Sequence, residues 1–261
     1  MYYLYLCGYT IKSTIMYRLS TFIDTISAVL TFFIQLTLWQ ALLEGNSAEN
    51  MTFAYMIPYI IIMYFSTTFT NINIATTIEN SMRDGSILYY LIRPVNYKKY
   101  LLCQMLGQNT FKACANTLFI FIIASLLYGI YWTESIFFML CFIVSLLLGM
   151  LLMFEITYTF GLLAFWLQRT WFIEWFLQAF TIFFGGSSVP LWFYPEALQN
   201  ISLFLPFRYI SYEAINMYLG RYSIEVCFKK FTIAFMWIIV LWILDYILWK
   251  AAQKRIEING G

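Results

Sequence analysis

Apolar residues run through this chain in long blocks separated by short polar stretches. Six blocks reach the length of a membrane crossing: Thr21–Leu43, Phe53–Thr77, Met105–Tyr128, Ser135–Leu167, Trp171–Ser187 and Phe231–Trp249. A hydrocarbon core of roughly 30 Å takes about 20 mostly apolar helical residues to cross. Inside it every backbone N–H and C=O must be paired within the protein, which leaves helices and closed barrels as solutions. Barrel strands are segments of about ten residues with alternating character, and these blocks are far longer. The pattern predicts an all-α, polytopic membrane protein with six transmembrane helices, residues 1–261 forming one transmembrane domain. The fourth block is overlong, which predicts tilt or a protruding end.

The stretches flanking the blocks carry further predictions. Tyr2 to Leu19 mixes apolar residues with Lys12 and Arg18. It reads either as an N-terminal helix lying in the membrane interface or as a run-in to the first span. After the fifth block, Gly185 and Gly186 loosen the helix and Pro190 removes a backbone donor. The apolar Leu191-Trp192-Phe193-Tyr194, the helix-opening Pro195-Glu196-Ala197-Leu198 and the apolar run around Pro206 then follow. Aromatic, proline-rich chain of this kind predicts a re-entrant extracellular segment between helices 5 and 6 rather than a solvated loop.

The most polar stretch is Glu79 to Tyr100. Within it Ile87, Leu88, Leu91 and Ile92 recur at spacings of three and four, so one face of a short helix is apolar. Asp84 or Ser86 caps its start, and Pro94 fixes its stop. Such a helix either hugs the interface as a connector or docks as a knob into another protein.

Composition sharpens the class. The chain is 62% hydrophobic and 11% charged, against about 25% charged for a soluble domain, so little chain remains for a soluble domain. Lys and Arg flank the first block, the second-to-third connector and the C-terminal end, whereas Glu44, Glu49 and Glu134 mark the opposite short loops. By the positive-inside rule both termini are cytoplasmic and the protein is a multi-pass component of the cell membrane. The connector after the fifth block is the exception, since Arg208, Arg221, Lys229 and Lys230 fall on the outer side.

With no histidine in the chain, imidazole metal sites and Ser-His triads are excluded. The five cysteines have no CxxC spacing and read as packing residues. No phosphate loop of the G-x-x-x-x-G-K-[ST] type occurs. No catalytic residue, metal site or bound cofactor is expected. Lys112 and Glu155 stand inside spans, where ionisable groups are functional candidates by default. They lie about 10 Å and 18 Å along their helices from the cytoplasmic end, at 1.5 Å per residue, which predicts an interhelical pair serving either as a proton or substrate site or as a structural tie. Asp24 and Asp245 lie near span ends, within reach of headgroups.

Arg83-Asp84-Gly85-Ser86-Ile87 followed by Leu91-Ile92-Arg93-Pro94-Val95 resembles the "G-x-[IL]…L-L-x-R-P" loop of the ABC-2-type permeases, the membrane subunits of ATP-driven transporters. The resemblance continues in Tyr17-Arg18, in Gly185-Gly186-x-x-Val189-Pro190-Leu191, in Phe193-x-Pro195, in Leu205-Pro206-Phe207 and Leu219-Gly220, and in the tail Arg255-Ile256-Glu257-Ile258-Asn259-Gly260-Gly261. It implies a coupling helix around Arg83, Asp84, Gly85, Ser86, Arg93 and Pro94, seated in a separate ABC ATPase that has two nucleotide-binding domains and holds the ATP and Mg. It implies a second permease subunit, identical or homologous, and an extracellular gate at Gly185, Gly186, Pro190, Pro195 and Pro206. The implied function is movement of substrate across the membrane, with the lipid bilayer and no nucleic acid as further partner; export of an amphipath such as a lipid, peptide or antibiotic is expected, because a short six-span bundle leaves little room for a large aqueous cavity. The alternative is a stand-alone secondary transporter or channel, which ordinarily carries an internal repeat or paired broken helices.

Overall fold

The computed structural model describes residues 2–16, 18–45, 53–92, 96–129, 135–167 and 169–260. They form helices α1 (Tyr2–Met16), α2 (Arg18–Gly45), α3 (Phe53–Thr70), α4 (Ala75–Arg83), α5 (Ile87–Ile92), α6 (Tyr97–Tyr128), α7 (Ile136–Gly161), α8 (Trp171–Phe184), α9 (Glu196–Phe204), α10 (Tyr212–Tyr218) and α11 (Ile224–Gly260). Short 3₁₀ turns occur at Leu162–Phe165, Leu191–Phe193 and Pro206–Tyr209. No strand occurs among the described residues.

Four of these helical stretches are long and apolar enough to cross a membrane: Leu19–Leu43, Tyr97–Tyr128, Ile136–Phe165 and Ile224–Lys254. Their outward faces are apolar. Leu30, Ile34 and Leu38 on α2, Leu118, Phe119 and Ile122 on α6, and Phe235, Ile239, Ile243 and Ile247 on α11 are all exposed. Contiguous apolar surface on that scale is not tolerated in water, and it marks the lipid-facing side of a multi-pass membrane protein. The interior is also apolar but more tightly packed. One cluster joins Ile78, Leu101, Met150, Ile156, Leu162 and Ile173, and a second joins Phe32, Leu36 and Trp39 to Tyr59, Ile60 and Ile120.

Several boundaries differ from the sequence expectation. The second block does not continue as one helix to Thr77; α3 stops at Thr70, residues 71–74 are irregular, and α4 begins at Ala75. Asn and β-branched residues are weak helix formers, and Thr70-Asn71-Ile72-Asn73-Ile74 consists of nothing else. The freed carbonyls find a partner on another helix: the buried Asn109 amide of α6 donates to Phe69 O at 3.2 Å and Asn71 O at 2.6 Å. Helix α6 starts eight residues before the expected Met105, at Tyr97, because the Asn96 side chain accepts from Lys99 N–H as an N-cap. The fourth block runs on past Gly161 as the 3₁₀ turn Leu162–Phe165, and α11 extends well beyond both expected ends.

Helix α1 is a separate element that leans on the first half of α6, with the Cys7 thiol donating to Cys103 O at 3.3 Å and Thr10 set against Gly107. At the opposite end of the bundle the chain between α8 and α11 folds back onto α3 and α7. Every residue of α10 is buried, so this segment is packed chain and not a solvated loop. It approaches α7 closely at Gly149, where an added Cβ would sit 2.0 Å from Ile210 O. Gly149→Val should therefore push the returning segment off α7, at a cost of about 1–3 kcal/mol as an overpacked contact. Thermal unfolding in detergent, followed by the monodisperse fraction on size exclusion, should show a lowered midpoint; an unchanged midpoint would contradict this packing.

Candidate functional site

The loop singled out by the sequence sits at the end of the bundle where α3 finishes. Arg83 and Asp84 are exposed, and Gly85 and Ser86 are half-buried. Gly85 has φ +73°, a left-handed conformation that favours glycine, and it turns the chain between α4 and α5. Asp84 does not cap α5 directly. Its carboxylate accepts from Ser86 N–H at 2.9 Å, a local turn across Gly85. The Ser86 hydroxyl and N–H hold the Asp84 carboxyl below its usual range, so it is anionic at neutral pH.

The apolar face of the short helix is divided. Ile87 is buried, whereas Leu88, Tyr89 and Ile92 are presented outward, Ile92 at 82% exposure. Arg93 and Pro94 lie outside the described residues.

Both flanks of the loop are tied to other helices of the bundle by polar contacts that the sequence reading did not find. On the α4 side the ties are reciprocal. Thr76 donates its N–H (2.8 Å) and hydroxyl (2.6 Å) to the Glu174 carboxylate of α8. Thr170, at the start of α8, donates its N–H (2.6 Å) and hydroxyl (2.8 Å) to the Glu79 carboxylate of α4. Each acid thus satisfies orphan donors and faces the positive dipole end of the other's helix. The sequence signal was an acid in the first turn of α8, but nothing in the linear chain says that it caps a different helix.

On the α6 side, Lys98 in the first turn reaches into the bundle. Its ammonium contacts the Glu155 carboxylate of α7 at 2.5 Å and the Asp245 carboxylate of α11 at 2.7 Å, and lies 5.1 Å from the Tyr158 ring centre. The Thr159 hydroxyl donates to Asp245 as well. Glu155 and Asp245 are both buried. The expected Lys112–Glu155 pair is therefore corrected. Lys112 instead meets Asp24 of α2 at 2.9 Å, both side chains being more than a third exposed. Asp245, expected at the headgroups, is in the interior. Depth along a helix does not determine which way each helix face turns, and it is the facing of α7 and α11 that brings Glu155 and Asp245 to Lys98.

Asp24 and Lys112 line a cleft of about 490 Å³ bounded by α2, α3, α6 and α8. Its wall is unlike the lipid-facing surface. Ser27, Thr31, Gln35, Thr67, Asn71 and Gln178 contribute to it, and it runs from Asn71 and Asn73 past the end of α3 to Ser187 and Ser188 past the end of α8. From Asp24 to Gln35 alone it follows α2 for about 16 Å, at 1.5 Å per residue.

At the Ser187 end, Gly185, Gly186, Pro190 and Pro206 of the expected gate are buried, whereas Pro195 is exposed. Gly186 has φ +69° and its carbonyl accepts from the Tyr59 hydroxyl at 2.7 Å. Gly185 O accepts from Ser211 Oγ at 3.0 Å. Pro190 is buried, Pro195 occupies the N-cap position of α9, and Pro206 opens the 3₁₀ turn beneath α10.

The basic residues that strained the charge rule are mostly consumed internally. Buried Glu213 receives Arg208 Nε at 2.6 Å and Lys230 Nζ at 2.8 Å, and the Arg221 guanidinium lies 4.0 Å from the Trp192 ring centre. They serve this segment's own fold.

A bundle of helices whose outward faces are apolar defines a multi-pass membrane protein. The family described as ABC-2 family transporter protein matches residues 22–260, and the chain belongs to it; it is a permease of the ATP-binding-cassette transport class. No curated protein matches the chain.

Two carboxylates and one ammonium make the Lys98 cluster sensitive to how it is broken. Lys98→Met should destabilise by about 3–5 kcal/mol, because it strands buried acids without their cation. The triple change Lys98→Met, Glu155→Gln, Asp245→Asn should recover most of that loss. Detergent melting midpoints of the two variants measure it, and equal midpoints would show that the cluster is not electrostatically interdependent.

Proposed function

We propose that the chain is the permease subunit of an exporter powered by a separate ABC ATPase, with the α4–α5 loop as the lever that the ATPase grips. The observation that carries this reading is the loop's construction: an outward apolar tip of Leu88, Tyr89 and Ile92 mounted between two flanks that are bonded into the bundle. An exposed apolar tip beside the anionic Asp84 suits a cleft in a partner protein. A rigid mount suits transmission of force, since a displaced loop must carry α8 through the Glu79 and Glu174 ties and α7 and α11 through Lys98. Rigid-body displacement driven by differential contacts is a recurrent way of switching between two states.

In this reading six segments cross the bilayer. The four long stretches are joined by α3, 18 residues or about 27 Å, and by α8, 14 residues or about 21 Å. The segment 185–218 completes the depth left by the short α8 as a re-entrant element and caps the cleft. Both termini and the loop face the cytosol, α1 lies along the interface with Tyr5 and Tyr9 outward, and the membrane is the plasma membrane. A second permease subunit, identical or homologous, covers the open side of the cleft, so that the two chains enclose the path. The chain binds no cofactor and catalyses no hydrolysis; ATP and Mg belong to the ATPase.

Gly85→Pro and Asp84→Arg test the lever. Proline holds φ near −65°, incompatible with the +73° found at Gly85, and arginine inverts the charge beside the docking tip. Both variants should insert in membranes at wild-type levels. In complexes with the ATPase that copurifies with the wild-type chain, transport per ATP hydrolysed should fall at least tenfold. Wild-type transport in both variants refutes the lever.

A further inference from the structure

We infer that the cleft recognises a neutral polyhydroxyl group, such as the glycosyl head of an amphipathic substrate; this rests on the reading of the cleft as the transport path. The hydrogen-bonding character of its wall supports the assignment. A threonine or serine hydroxyl has one proton and two lone pairs. Thr31 donates its proton to Ser27 O at 2.8 Å, Thr67 to Met63 O at 2.8 Å, Thr181 to Leu177 O at 2.7 Å and Ser187 to Ile182 O at 3.3 Å. Bonding back to carbonyls of their own chain in this way leaves these four hydroxyls as acceptors toward the cleft. The wall therefore offers fixed acceptors on α2, α3 and α8, set among the Gln35, Asn71, Asn73 and Gln178 amides that both donate and accept, and it best suits a ligand rich in groups that do both.

The charge of the wall narrows the class further. Among the described residues Asp24 and Lys112 are the only charged side chains lining the cleft, and they neutralise each other at 2.9 Å. A cationic ligand would have to displace Lys112 from Asp24, and an anionic one would have to draw Lys112 away from Asp24; a charged ligand that did neither would sit without a counter-charge among helices in lipid, a desolvation cost that the wall does not offset. A neutral polyhydroxyl group meets neither cost. The volume of about 490 Å³ lies in the usual range for a small-ligand site, about 300–1,000 Å³, and accommodates a sugar-sized head.

The test uses the full chain in lipid nanodiscs with Gln178→Cys as a reporter on the cleft wall, its labelling by a hydrophilic maleimide measured as the excess over the parent chain. Octyl β-glucoside, octyltrimethylammonium and octyl sulfate, each below its micelle concentration, share one tail and differ in head. Octyl β-glucoside should slow labelling at least fivefold and the two ionic probes less than twofold. In the added double variant Thr31→Val and Thr67→Val, labelling should persist while protection by octyl β-glucoside is lost. No labelling above the parent would mean that the cleft is not a water-filled path, and the transport reading of the cleft fails. Labelling with equal protection by the ionic probes, with protection by none, or with glucoside protection surviving in the double variant overturns the polyhydroxyl assignment alone.

Discussion

Hydrocarbon offers no hydrogen bonds, so polar groups that this chain carries into its interior are stabilised by partners on other parts of the protein. That one constraint sets most of the architecture. Asn109 satisfies the carbonyls left open where α3 ends. Glu213 gathers Arg208 and Lys230 and thereby holds the returning segment against the bundle. Lys98 serves two acids from two different helices. Each satisfied group is also a mechanical joint, because separating the elements would leave a charge or dipole bare in lipid.

The joints are unevenly placed, and their placement gives the molecule its working parts. They concentrate at the flanks of the α4–α5 loop and in the segment between α8 and α11, the two ends of the bundle. Between them α8 is the direct connection. It starts at the reciprocal Glu79 and Glu174 caps, presents Gln178 and Thr181 to the cleft one to two turns later, and ends at the Gly185–Gly186 turn that packs on Tyr59 and Ser211. A shift of the loop along or about α8 therefore reaches the cleft wall and the opposite end through a single helix of 14 residues. Apolar residues face outward on α2, α6 and α11, whereas hydroxyl and amide side chains line the cleft bounded by α2, α3, α6 and α8.

The helical membrane class, the long apolar stretches on α2, α6, α7 and α11, the break after α8 and the short helix following Gly85 were all legible in the chain before any coordinates. These features depend on local composition and on residues adjacent in sequence: runs of apolar side chains, paired glycines with a following proline, and leucines and isoleucines at helical spacing. The end of α3 at Thr70 was missed because the carbonyls that make the break tolerable are satisfied by Asn109, 38 residues further on. Lys98 fell in the connector between the second and third blocks, and only its contacts with Glu155 of α7 and Asp245 of α11 show that it turns inward.

The sequence by itself determined what must be buried in lipid and where the helices break, since hydrophobic length and backbone stereochemistry act over a few residues at a time. Tertiary structure alone decided which charges meet: Glu155 with Lys98 and Asp245, Lys112 with Asp24, and Glu79 and Glu174 each capping the other's helix. Position along a helix sets the depth of a side chain but not its azimuth. Azimuth is fixed only when whole helices pack, because an unpaired charge in hydrocarbon costs more than rotating a helix face to find it a partner.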